Sequence, residues 1–156
     1  MLNIAKTVAA AALTLMPMGA FAEDVLLSVT VKGETLTFER TALEAMPVAE
    51  FTTTTIWTEG EQTFTGVTLH DLLSELDVQD GVIKATAIND YAIEIPYADI
   101  TEDAPIIAYL RNGEEMSVRD KGPLWVVYPY DTAPEFRNEV AYSRSIWQLD
   151  RIDIQE

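Results

Sequence analysis

The sequence predicts one α+β domain in which a β-rich mixed sheet is accompanied by a few short helices. About nine short segments have the alternating or β-branched character of strands, and turn signals separate them. Only brief stretches show helical spacing, and no repeat, low-complexity tract or linker interrupts the chain. With 156 residues, of which 48% are hydrophobic, the chain is long and apolar enough to form a single packed core.

The N-terminal part of the domain predicts a hairpin followed by a short helix. Val25 to Val31 alternates with a β period, Lys32-Gly33-Glu34 has turn chemistry, and Thr35 to Phe38 supplies the returning strand. Thr41-Ala42-Leu43-Glu44 has the spacing of a capping box, which predicts a helix that starts at Thr41 and ends before Pro47.

The next segment carries the most informative pattern. Phe51 to Trp57 is almost wholly β-branched or aromatic and predicts an extended strand, which Thr58-Glu59-Gly60 ends. A second strand is predicted over Gln62 to Val67, and Thr68 is the predicted N-cap of a helix with one apolar face. That face consists of Leu69, Leu72, Leu73 and Leu76.

The second half of the chain returns to β character. Leu124 to Tyr128 is hydrophobic on both faces and is predicted to be a central strand, whereas Asp131 to Arg144 is polar and is predicted to be irregular. Turn signals lie at Asn89-Asp90 and at Arg111-Asn112-Gly113. The other predicted strands cover Val82 to Ile88, Tyr91 to Ile95, Pro105 to Leu110 and Ile146 to Ile154.

The first 22 residues have the pattern of a cleaved export signal. Lys6 provides the positive n-region, Val8 to Met16 is apolar, and Ala20-Phe21-Ala22 is a small-x-small cleavage site. The apolar run is about half the length of a membrane-spanning helix. We therefore predict a mature domain over residues 23–156 in the periplasm, with no membrane insertion after cleavage.

The composition excludes several classes of function. With 26 acidic and 10 basic residues the net charge is −16, which argues against binding to nucleic acid or to an anionic membrane. The absence of cysteine excludes thiolate nucleophiles and cysteine-ligated metals. His70 is the only histidine and is predicted on the polar side of its helix. No catalytic residue and no metal site is predicted.

Aromatic and polar residues do collect at the predicted strand ends and in the turns. Such a set is typical of a flat pocket that holds a planar heterocycle by stacking and by a few hydrogen bonds. Trp125 lies within an apolar strand and is predicted to belong to the core, while for Trp147 both core and site remain open. The candidate ligand-binding residues are Trp57, Thr58, Asp90, Tyr91, Arg119, Tyr128, Tyr130, Arg144 and Trp147.

Several blocks of this sequence, taken together, resemble the sulfite-oxidase-like molybdopterin-binding domain. The resemblance covers most of residues 25–155 and implies that family's α+β fold, with a barrel-like mixed sheet and a pterin pocket. The blocks are Phe51 to Gly60, Phe64-Thr65-Gly66-Val67-Thr68-Leu69 with Asp71-Leu72-Leu73, Arg111-Asn112-Gly113-Glu114, Arg119 to Leu124, and Arg144 to Ile152.

The chain departs from the molybdenum enzymes of that family in one respect. In those enzymes a cysteine near the position of Thr55 to Trp57 ligates the metal, and this chain has no cysteine. It is therefore similar to the cysteine-less exported branch, the PruR-type periplasmic pterin-binding proteins. That resemblance implies a free pterin rather than the molybdenum cofactor, no catalysis, and a partner in the periplasmic sensor domain of a membrane-bound cyclic-di-GMP signalling enzyme.

The resemblance also suggests roles for the candidate residues. The aromatic rings stack on the pterin, Asp90 accepts hydrogen bonds from its ring N–H and amino groups, and Arg119 or Arg144 donates to its carbonyl or hydroxyl groups. Replacing Trp57 or Arg119 by Ala is then expected to weaken binding with little change in melting temperature. Two other functions stay open, a molybdopterin-dependent oxidoreductase without the cysteine ligand and a ligand-free interaction module.

Overall fold

The computed structural model describes residues 24–156, and within this range it contains ten strands and three α-helices. The helices are α1 (Arg40–Glu44), α2 (Leu69–Glu75) and α3 (Glu139–Arg144). The strands are β1 (Val25–Val31), β2 (Glu34–Glu39), β3 (Ala49–Thr54), β4 (Glu61–Thr68), β5 (Val82–Ala87), β6 (Ala92–Pro96), β7 (Ile106–Arg111), β8 (Glu114–Glu115), β9 (Trp125–Val127) and β10 (Leu149–Gln155).

The strands form two sheets, which confirms the prediction of a β-rich α+β domain. The first has the order β2-β1-β10-β5-β6 and is mixed, because β1 and β10 are parallel while its other neighbours are antiparallel. The second has the order β3-β4-β7-β8, with β9 also paired to β7, and all its pairs are antiparallel. The predicted export signal over residues 1–22 lies outside the described residues. No helix within residues 24–156 is long and apolar enough to cross a membrane.

The predicted turns and one of the two predicted helix caps agree with the structure. Lys32 and Gly33 both have positive φ angles, 50° and 81°, in the β1–β2 hairpin, as the turn chemistry requires. Thr68 caps α2, because its Oγ1 accepts a hydrogen bond from the backbone N–H of Asp71 at 2.9 Å. The capping box at Thr41 is wrong: β2 continues to Glu39, which becomes the N-cap of α1 without a side-chain hydrogen bond.

Two predictions for the C-terminal third need correction. Leu124 to Tyr128 is buried as predicted, but β7 is the only strand that pairs with β9, and a single β-bridge joins Trp125 to Trp147 on the other side, so β9 is not a central strand. Its other side is covered by the chain entering β10, since the Val126 N–H donates to the Ile146 carbonyl at 2.8 Å. Residues 131–144 are not irregular throughout, because α3 begins after Asn138, whose Oδ1 accepts from the Ala141 N–H at 2.9 Å.

The core consists of two clusters of buried side chains. The larger cluster lies between the two sheets and includes Val29 of β1, Ile83 of β5 and Ile107 of β7. The smaller cluster lies on the other face of the second sheet and is centred on Phe64 and Trp125. The half-buried Trp57 packs against both clusters. Trp57 therefore lies at the junction of the two clusters.

Candidate functional site

A cleft of about 370 Å³ opens beside Trp57. One of its walls is the turn between β5 and β6, which contributes Asn89 and Tyr91. The opposite wall is the chain from the end of α3 to the start of β10, which contributes Tyr142 and Trp147. A cavity of this size with apolar rings and a few polar groups is typical of a small-molecule site.

Trp57 is the centre of an aromatic cluster that consists of Trp57, Trp125, Tyr130, Tyr142 and Trp147. The centroid of the Trp57 ring lies 5.6 Å from that of Trp147, 5.9 Å from those of Trp125 and Tyr142, and 6.1 Å from that of Tyr130. All four pairs are edge-to-face, the arrangement that the quadrupoles of aromatic rings favour. Four neighbouring rings therefore contact the Trp57 ring and fix its orientation.

A compact turn places Trp57 at this point. β3 ends at Thr54, before the predicted end of the strand at Trp57, because the side chain of Thr55 organises the next residues. Thr55 Oγ1 accepts hydrogen bonds from the backbone N–H groups of Trp57 at 3.1 Å and Thr58 at 3.0 Å, and lies 2.7 Å from Thr58 Oγ1. Threonine hydroxyls compete in this way with the sheet ladder. The turn directs the indole inward, toward the cluster.

A buried hydrogen-bond network supports the opposite wall of the cleft. Ser145 Oγ lies 2.6 Å from the Tyr130 hydroxyl and donates to the Ala141 carbonyl at 2.8 Å. The Ser145 carbonyl accepts from Trp125 Nε1 at 3.2 Å. Burial raises the pKa of Tyr130 well above its usual range, so this phenol stays protonated. The network holds the backbone that leads to Trp147.

Tyr128 and Tyr130, both predicted as ligand-binding residues, lie beneath the cleft rather than on its surface. Their exposed fractions are 4% and 2%, so neither ring offers a free face to a ligand. Burial raises the pKa of Tyr128 to about 12, and the positive charge of Arg144 opposes part of this shift. Arg144 itself is committed to an ion pair, with its Nη2 3.0 Å from Asp99 Oδ2. These three residues support the site.

Asp90 does not line the cleft. Its backbone has a φ of 68° in the β5–β6 turn, and its exposed carboxylate pairs with Arg151 on β10. Its neighbours Asn89 and Tyr91 line the cleft instead. The left-handed backbone at Asp90 turns its side chain away from those of Asn89 and Tyr91. The sequence pattern alone does not show which of these three consecutive residues faces the cleft.

A second concave surface of about 410 Å³ adjoins the other side of Trp57 and includes Thr58 and Arg119. Lys121 also lines this second surface, and its Nζ lies 4.6 Å from the centroid of the Trp147 ring, which belongs to the first cleft. This cation–π contact covers part of the indole. The structure therefore brings Tyr91 and Trp147 together at the first cleft and places Thr58 and Arg119 at the second surface, while Trp57 lines both.

Three residues at these surfaces were not predicted from the sequence: Asn89, Tyr142 and Lys121. Asn89 and Tyr142 each line the first cleft, and Lys121 contacts the face of Trp147. The only local signal for Lys121 was its place beside Gly122-Pro123, and Tyr142 lies in the segment that was predicted to be irregular. Within residues 24–156, no group of three His, Cys, Asp or Glu side chains could hold a metal ion.

Comparison with known proteins decides the family. The model of the oxidoreductase molybdopterin binding domain matches residues 40–133, more than half of the chain. The chain belongs to this family. The match includes Trp57, Asn89, Tyr91 and Arg119, whereas the wall that carries Tyr142 and Trp147 lies beyond its end. The predictions of this family and of its β-rich fold are confirmed.

Solved structures agree on the fold. The crystal structure of the sulfane dehydrogenase SoxCD from Paracoccus pantotrophus is similar with a TM-score of 0.61 and 17% sequence identity. The similarity covers 85% of this chain but only 38% of the SoxCD chain. No curated protein sequence matches this chain. The structural similarity therefore concerns the fold.

The family name implies molybdopterin. The side chains of the cleft fit the pterin part of this cofactor but not its metal. The aromatic rings and amides of the cleft suit the flat, hydrogen-bonding pterin. The donor set does not suit a molybdenum ion held by the protein, because Thr55, Ile56 and Trp57 occupy the end of the Thr-rich strand and no cysteine exists elsewhere in the chain. As a member of the oxidoreductase molybdopterin binding domain family, this protein thus has a pterin-compatible cleft and no thiolate for a metal.

Proposed function

We propose that this domain binds a free pterin in the cleft beside Trp57 and performs no redox chemistry there. The observation that carries the proposal is the combination of the family match with an aromatic cleft that contains no metal-ligating thiolate. Tyr91 and Trp147 are 57% and 36% exposed, so each offers ring surface to a ligand. A pterin between these two walls gains about 0.5–1.5 kcal/mol for each stacking contact.

Asn89 takes the role that was predicted for Asp90 from the sequence. Asn89 Oδ1 accepts a long hydrogen bond of 3.3 Å from the Tyr91 N–H, which leaves its amino group available to donate. An amide can both donate to the pterin carbonyl and accept from the adjacent ring N–H. Because Arg144 is paired with Asp99 and Arg119 belongs to the second surface, neither is required for contact with the ring.

Titration calorimetry of the mature domain with a panel of oxidised and reduced pterins tests this proposal. We expect micromolar binding of at least one pterin, with a free energy of about −8 kcal/mol, which two stacks and a few buried hydrogen bonds can supply. A purine of similar size and polarity serves as the control and is expected to bind weakly. Failure of every pterin to bind would leave the interaction-module hypothesis as the better description.

Binding of the complete molybdenum cofactor is the second candidate, and the family match favours it. In that case the metal is held by the cofactor alone, without a bond to a protein sulfur. Metal analysis separates the two candidates, since a free pterin brings no molybdenum into the purified protein.

We further propose that pterin occupancy is passed to a periplasmic sensor domain of a membrane signalling enzyme that makes or degrades cyclic-di-GMP. Exposed apolar side chains adjoin the cleft residues in sequence, namely Ile56 beside Trp57 and Ile88 beside Asn89, with 61% and 46% of their surface accessible. A ligand that fixes these turns changes the surface that a partner contacts. Hydrogen exchange is expected to slow at residues 55–60 and 88–91 when a pterin binds. Equal rates with and without pterin would oppose the relay.

A further inference from the structure

The carboxylate of Asp131 joins two distant parts of the chain at the end of β3. Asp131 Oδ2 accepts from the Thr54 backbone N–H and Oδ1 accepts from the Thr54 hydroxyl, both at 2.7 Å. In the reverse direction, the Asp131 N–H donates to Thr53 Oγ1 at 3.2 Å. Three hydrogen bonds thus connect positions 77 or 78 residues apart, and both carboxylate oxygens are used.

The hydrogen bonds between Asp131 and the end of β3 lie just before the turn that carries Trp57. β3 is an edge strand that pairs only with β4, so its last residues have no strand on their other side to hold them. The turn that carries Trp57 begins immediately after Thr54, and its internal hydrogen bonds fix the indole relative to Thr55. They do not fix Thr55 relative to the rest of the domain. The Asp131 link supplies that second constraint.

The partner segment is itself well anchored. Tyr130 precedes Asp131, is buried, and bonds to Ser145 in the wall that leads to Trp147. Its ring also contacts the Trp57 ring, at 6.1 Å between centroids. Asp131 is therefore attached to a rigid part of the site. If the end of β3 moves relative to Asp131, Trp57 moves with it and changes its position relative to Trp147.

We infer that Asp131 is a positioning residue, whose carboxylate sets the placement of Trp57 against the opposite wall of the cleft. The hydrogen bond from the Thr54 N–H is the main reason that the pKa of the Asp131 carboxyl lies below its usual value, and the charge of Arg137 contributes to the same shift. The link is consequently formed at neutral pH. The effect on a ligand rests on the proposed function, whereas the effect on Trp57 does not.

The test uses two readouts on the mature domain, the near-UV circular dichroism of the unligated protein and its affinity for a pterin. Indole rings 5.6 and 5.9 Å apart couple strongly, and their signal depends on their mutual orientation. We expect Asp131→Ala to reduce the tryptophan bands of the folded protein and to weaken pterin binding about fivefold, as when one stacking contact is impaired.

Two further variants separate geometry from charge. Asp131→Asn removes the charge but keeps an acceptor for the Thr54 N–H and a donor for the Thr54 hydroxyl, so we expect it to restore most of the tryptophan signal. Thr54→Val removes one of the bonds and is expected to give a smaller change in the same direction. Asp103→Ala deletes an exposed carboxylate on the loop before β7 and is the matched control, with unchanged spectrum and affinity.

The possible outcomes are distinct. Tryptophan bands that are unchanged in folded Asp131→Ala would overturn the inference, whatever happens to its melting temperature. If Asp131→Ala does not fold, Thr54→Val decides the matter, and an unchanged spectrum in that variant counts against the inference. If Asp131→Ala alters the tryptophan bands but the wild-type domain binds no pterin, the positioning role of Asp131 stands and the proposed ligand is rejected.

Discussion

Replacing Trp57 by Ala is expected to destabilise the domain by about 3 kcal/mol and to weaken pterin binding about 100-fold. The half-buried indole packs against both core clusters and contacts four other aromatic rings, so its removal leaves a cavity at their junction. Trp147 and Tyr142 then lose the ring that supports them. Chemical denaturation and calorimetric titration measure the two effects separately.

This expectation corrects one made from the sequence, that the melting temperature would be nearly unchanged in Trp57→Ala. The packing contradicts it, because Trp57 belongs to the core as well as to the cleft. Tyr91→Ala is the matched control: the ring is 57% exposed, so its loss is expected to alter stability by less than about 0.5 kcal/mol and to reduce affinity about tenfold. Equal destabilisation by the two variants would refute this description of the cleft.

Replacing Gly122 by Ala is expected to cost more stability than a typical surface change, about 3 kcal/mol or more. A Cβ atom at this position would lie 1.8 Å from the Met116 carbonyl oxygen and 2.7 Å from the Met116 Cβ. Backbone must therefore move, and the adjacent Lys121 moves with it, away from the face of Trp147. Thermal unfolding measures the first effect and tryptophan fluorescence the second.

Gly33→Ala provides the comparison for Gly122→Ala. A Cβ atom at Gly33 meets no atom within 4 Å, so the only penalty is the positive φ of 81°, about 1 kcal/mol. We expect Gly33→Ala to remain folded with an unaltered tryptophan spectrum. If Gly122→Ala were as stable as Gly33→Ala, the backbone at Gly122 could not lie as close to Met116 as the structure shows.

The parts of the fold that could be predicted from the sequence are those governed by local chemistry. Thr68 caps α2 and Lys32-Gly33 turns the first hairpin because each effect involves residues only a few positions apart. Trp57 and Tyr91 were selected because aromatic and polar residues that collect at strand ends and turns can line a flat pocket. Their convergence on one cleft follows from the sheet order, which no local pattern specifies.

The parts that could not be predicted depend on long-range contacts. Asp131 was not selected, since its partners lie 77 and 78 positions away in the sequence. Tyr130 resembled Tyr91 as a candidate, yet it is buried because the chain from Ala141 to Ser145 folds over it. The apolar strand around Trp125 looked central, and the return of the chain toward β10 buries it at an edge instead.

We propose that this domain holds a pterin without a protein-bound metal. The most direct test is to purify the domain from a host that makes both free pterins and the molybdenum cofactor, and to measure molybdenum and extracted pterin in the same sample. We predict pterin in a substantial fraction of the molecules and molybdenum in almost none. Molybdenum equimolar with an extracted molybdopterin would contradict the claim and identify the domain as a carrier of the complete cofactor.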